Sequence, residues 1–187
     1  MTEINSSKNR IIFKSALALL ISTTYAIIRY NYFGNVSLND IPVFVFNKAI
    51  ALSIVIILGF SLLDKIKDRN TGDYFSTIQF LIIMHVIFSL ALHGDAYFPK
   101  MYIDGKLTLN TGIATLSGTI LVAGLFTNII KLKALTIYTL IGIHVFFYGF
   151  KGWITPENWH GSLPPITLVS FVIIVVLFLR KFLKNKG

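Results

Sequence analysis

The chain has 187 residues, 55% of them hydrophobic and 13% charged, with a mean hydropathy of +0.73. A soluble domain of this length carries about a quarter charged residues, so the composition excludes one and indicates a single all-α membrane domain over 1–187. Cysteine is absent, which excludes disulfides, thiolate metal sites and dithiol redox chemistry, and the net charge of +9 fits basic residues at helix ends rather than binding to nucleic acid.

The polar, basic start MTEINSSKNR leads into an apolar run too long for the core of a signal peptide, with no small-residue cleavage site after it. It predicts a retained first helix over 11–31. Further apolar runs predict helices over 41–63, 75–96, 109–130, 134–154 and 165–182, each long enough to cross a hydrocarbon core of about 30 Å. The second opens on NDIP, an N-cap followed by a proline in the first turn, and SLPP does the same before the sixth. The fourth carries Ala114 and Gly118, with Gly112, Ser117 and Gly124, a surface for close helix contact or a groove for a flat cofactor. No internal repeat is visible.

Twelve of the 17 Lys and Arg residues fall on one side of these six spans: Lys8, Arg10 and Lys14, the 64–73 loop, KLK at 131–133, and the tail. By the positive-inside rule both termini are cytoplasmic, and Trp153 and Trp159 fall at the outer interface. The expected architecture is a polytopic bundle of six transmembrane helices in the cell membrane, of the kind a bacterial inner membrane holds. Arg29, at the outer end of the first helix, is read as an interface anchor.

Two histidines stand out because an ionisable side chain at mid-membrane is costly. His85 lies ten residues into the third predicted span and His144 ten into the fifth, about 15 Å along each helix. Both helices run from inside to outside, which predicts a matched depth. Two neutral imidazoles at one height suit the two faces of a b-type haem, whose iron would satisfy one nitrogen of each ring. The other nitrogen then needs an acceptor. Alternatively, each ring hydrogen-bonds a neighbouring helix and only packs. No acidic residue or cysteine lies at that height to favour a non-haem metal.

Tyr148 and Lys151 follow His144 on one helical face, and Lys48 lies about 10 Å inside the outer end of the second helix. These three are candidates for the haem pocket or its propionates, although Lys48 is also long enough to snorkel outward. His93, Tyr97 and His160, with Asp95 nearby, form a candidate outer-face site or are ordinary interfacial residues.

FLIIMHVIFSLAL around His85, LKALTIYTLIGIHVFFYGF around His144 and the aromatic, basic segment AYFPKMYIDGKLTLN resemble the ferric reductase-like transmembrane superfamily. That group includes the haem subunit of the periplasmic methionine sulfoxide reductase system and the six-transmembrane metalloreductases. The resemblance implies His85 and His144 as haem axial ligands. Many relatives carry a second histidine on helix three where this chain has Phe98 and Pro99, and a Leu-His-Arg element where it has Leu132, Lys133 and Ala134. One haem b is therefore expected.

The implied function is an electron-transfer subunit of an oxidoreductase, passing electrons to an acceptor at the outer face. With no nucleotide fingerprint in the chain, a separate cytoplasmic flavin reductase or a quinol would be the donor. The competing readings are a small transporter using its midplane histidines, or a non-catalytic scaffold subunit. The transporter reading meets no midplane carboxylate and no paired broken helices.

Overall fold

The computed structural model describes residues 2–66, 72–94, 97–127 and 132–184. These residues are predominantly helical, and among them six helices are long and apolar enough to span a membrane. They are α1 (Thr2–Ile27), α2 (Phe46–Ile66), α3 (Gly72–Ala91), α4 (Leu109–Phe126), α5 (Ala134–Trp153) and α6 (Ile166–Lys184). All six coincide with the predicted runs, and the differences lie at their ends.

α1 starts nine residues before its apolar portion, because no glycine or proline interrupts the chain before Gly34. It then widens into a π-helical turn, Ile28–Tyr32. Gly34 stops it, since a Cβ there would run into the Tyr30 carbonyl. NDIP is not where the second span is capped. The Ser37 side chain accepts from the Asn39 N–H and opens a 3-10 turn, Leu38–Asp40, followed by a second π-helical turn, Ile41–Val45, with Pro42 near its start. α3 ends at Ala91 rather than 96, and of that expected end residues 95 and 96 lie outside the described residues. α4 runs to Phe126, where Thr127 caps it through N–H and Oγ1 bonds to the Ala123 carbonyl, and the expected end at 128–130 lies outside the described residues.

AYFPKMYIDGKLTLN, read as a loop, contains a small antiparallel hairpin. Strands β1 (Tyr102–Ile103) and β2 (Lys106–Leu107) are joined by Asp104 and Gly105. Both turn residues have positive φ, 51° and 71°, as a two-residue type I′ turn requires.

The chain forms two compact units, Met1–Ala91 and Leu92–Gly187. In the first, α2 packs against both α1 and α3. α1 buries Ile11, Ser15, Ala18, Ser22 and Ala26, a stripe of mostly small residues three or four apart, and the second span answers with Val45 of its π-helical turn and Ala49, Ser53 and Ile57 of α2. Small side chains let membrane helices approach closely where hydrophobicity offers no drive between them. Ser53 satisfies its own hydroxyl by donating to the Ala49 carbonyl at 2.8 Å.

In the second unit α5 packs against both α4 and α6. α6 buries Ile166, Ser170, Ile174 and Leu177 along one face. Trp153 of α5 donates from Nε1 to Thr167 Oγ1 at 2.9 Å, across Gly149, where a Cβ would collide with both groups. Phe146, Trp153 and Phe171 complete an aromatic cluster with ring centroids 5.0–5.8 Å apart. The outward faces keep large apolar side chains, among them Phe13, Leu20, Phe80, Leu116, Val172 and Val176, which suits contact with lipid.

Candidate functional site

His85 lies on α3, eleven residues beyond Tyr74 and six before Ala91. Because α3 unwinds early, the ring stands roughly 4 Å from the centre of its own span. Its Nδ1 is 2.6 Å from Asn47 Oδ1 on α2, and the amide nitrogen of Asn47 donates to Ser89 Oγ at 3.1 Å, one turn along α3 from His85. An amide oxygen only accepts, so the imidazole donates from Nδ1. Asn47 is buried, and it directly precedes Lys48, the residue that stands out by its charge in this apolar stretch.

His144 stands ten residues beyond Ala134 and nine before Trp153 on α5. Its Nδ1 donates to the Ala114 carbonyl of α4 at 2.8 Å. The ring lies over Gly118: a Cβ there would sit 3.0 Å from Nδ1 and 3.2 Å from Cε1. The small residues of α4 thus make room for the imidazole, and Gly124 likewise makes room for Leu132. Tyr148 packs edge-on against the His144 ring with centroids 4.8 Å apart, and its hydroxyl is 3.1 Å from Thr115 Oγ1. His144 and Tyr148 are therefore brought together, whereas Lys151 is exposed in the last turn of α5.

In both units the protonated nitrogen is Nδ1 and the lone pair lies on Nε2. That is the tautomer in which a histidine presents Nε2 to a metal while its other nitrogen is held by an acceptor. Among the described residues no three His, Asp or Glu side chains converge.

Lys48 reaches back along its helix, with Nζ 4.9 Å from the Phe44 ring and 5.9 Å from the Tyr30 ring. Arg29 is not a surface anchor. It continues the buried stripe of α1 and is 4% exposed, with Cζ 5.6 Å from the same Tyr30 ring. At the opposite end of this unit Asp64, 1% exposed, accepts from Lys14 Nζ at 2.7 Å and from the Tyr74 hydroxyl at 2.6 Å, with Arg10 Nε 3.5 Å away. Sequence reading placed Asp64 at the start of a loop. Its spacing of seven from buried Ile57 was the available signal.

His93 pairs with the Tyr102 hydroxyl of β1 through Nε2 at 2.9 Å. Tyr97 is exposed, and His160 is exposed on a 3-10 turn, His160–Ser162, before α6. Asp95 lies outside the described residues. In comparisons with family models, curated proteins and solved structures, nothing matches this chain.

Proposed function

We propose that the chain is a haem b-binding integral membrane electron-transfer protein of the ferric reductase-like kind, with His85 and His144 as iron ligands. The observation that carries this reading is the shared tautomer. Each Nδ1–H is engaged by an oxygen that only accepts, Asn47 Oδ1 and the Ala114 carbonyl, leaving the basic nitrogen of each ring as Nε2. A lone pair is what iron requires of an imidazole, and an acceptor on the far nitrogen raises its basicity and fixes the ring plane. Haem, when bound, supplies a one-electron centre whose potential is set by its ligands and surroundings. Gly118 and Tyr148 hold the His144 ring, and Asn47 with Ser89 holds His85.

The excess of Lys and Arg on one side supports cytoplasmic termini. In that orientation the chain takes electrons from a separate cytoplasmic flavin reductase or from quinol, and delivers them to an acceptor at the outer face of a cell membrane.

Purified protein from a haem-supplied host is expected to show a Soret band that shifts on dithionite reduction, at one haem per chain. His85→Ala and His144→Ala each remove the band, while His93→Ala retains most of it. A folded but colourless wild-type preparation, or a band that survives loss of both histidines, overturns the reading.

A further inference from the structure

We propose that Lys48, backed by Arg29, recognises the phosphate of an anionic lipid headgroup at the α1–α2 end of the first unit. Helical phase sets the arrangement. Arg29 lies three residues beyond Ala26 on the buried stripe of α1, which places a permanent charge inside the unit. Lys48 lies in the first turn of α2, three residues beyond the π-helical turn Ile41–Val45. Its side chain turns back one helical turn, so that Nζ lies at the Phe44 ring, toward the headgroup level, as a snorkelling lysine does.

The two cations share one aromatic ring, with Arg29 Cζ at 5.6 Å and Lys48 Nζ at 5.9 Å from Tyr30. A ring face makes such a position tolerable for a cation in apolar surroundings. Like charges around one ring repel, whereas a phosphate oxyanion at Lys48 meets the attraction of both. Lys48 is partly exposed and Arg29 is covered. Lys48 is therefore the contact, and Arg29 supplies the field behind it.

The backbone is unusual at the same place. Both segments that frame the cations, Ile28–Tyr32 and Ile41–Val45, are π-helical, a conformation that is rare and found often at functional sites. They meet through the edge-on contact of Tyr30 and Phe44, with centroids 6.0 Å apart. The ligand chemistry is an oxyanion, which free phosphate or a haem propionate also offers. The position at the ends of the Lys8–Tyr32 and Leu38–Lys65 spans favours the lipid.

The test titrates the full chain in detergent with phosphatidylglycerol and with phosphatidylcholine, reading bound lipid by native mass spectrometry with and without haem. Wild type is expected to retain phosphatidylglycerol over phosphatidylcholine. Lys48→Gln weakens that preference about fivefold, the share of one basic residue near a membrane surface. Lys48→Arg restores it, and Lys106→Gln in the hairpin leaves it intact. Thermal scans confirm that each variant is folded.

Equal retention of the two lipids by wild type, or an unchanged preference in folded Lys48→Gln, overturns the proposal. Displacement of phosphatidylglycerol on haem loading assigns the site to a propionate instead. Capture of inorganic phosphate without phosphatidylglycerol assigns it to a soluble anion, and either result also overturns the lipid assignment.

Discussion

His144 is held on two sides, by the Ala114 carbonyl at Nδ1 and by the bare face of Gly118 beside the ring. Gly118→Ala places a methyl group 3.0 Å from Nδ1, so either the ring shifts or α4 and α5 separate. Overpacking of this kind costs about 1–3 kcal/mol, and the variant is expected to melt lower in a detergent thermal scan and to alter the spectrum of any bound haem. Asn47 plays the corresponding part for His85. Asn47→Leu leaves a part-buried Nδ1–H without its acceptor, a loss of about 1 kcal/mol, while Asn47→Asp keeps an oxygen in place. Unfolding midpoints of the two variants, and nitrogen NMR of the His85 tautomer, separate these outcomes. Both histidines were legible in the sequence as isolated imidazoles in apolar runs, but their partners were not. Asn47 is 38 residues from His85, and Ala114 is 30 from His144.

Small residues recur along the helices at intervals that bury them. On α1 and α2 the residues Ala18, Ser22, Ala26, Ala49 and Ser53 are all inaccessible, and within each helix their spacing of four is visible in the sequence. A leucine in this stripe has no room. Ala18→Leu is expected to cost about 1–3 kcal/mol, whereas Leu20→Ala, two residues on and facing outward, changes little. The melting temperature of each variant in one detergent checks the contrast. The hairpin at 102–107 was equally available, because Asp-Gly between apolar residues is the strongest short-range hairpin signal. Its strands are only two residues long, too short to show an alternating pattern. Helix ends were read less well than helices: the start of α1 depends on the absence of a breaker, and the early end of α3 lies in a sequence that stays apolar as far as Leu92.

Each unit is three helices with the middle one packed against both others, and in the first a single carboxylate ties all three together. Asp64 of α2 engages Lys14 and Arg10 of α1 and Tyr74 of α3. Removing one partner of a buried ion pair costs about 3–5 kcal/mol, mostly through the charge left behind. Lys14 and Arg10 keep some access to the surface, so Asp64→Ala is expected near the lower end of that range. Tyr74→Phe, which leaves the ion pairs intact, costs about 1–2 kcal/mol. Chemical unfolding of the full chain distinguishes them, and equal losses would show that the hydroxyl rather than the charge joins the helices.

The number of spans, their order and their approximate limits were determined by the sequence alone, because apolar length and freedom from breakers belong to each segment by itself. The two midspan imidazoles belonged to that level too. Which oxygen each imidazole meets, that Arg29 and Asp64 lie buried rather than at a surface, and that two cations share the ring of Tyr30 were decided by tertiary structure. Each of these depends on the rotational phase at which one helix packs against another. That phase is set by small residues and close contacts distributed over segments tens of residues apart, and no single segment contains it.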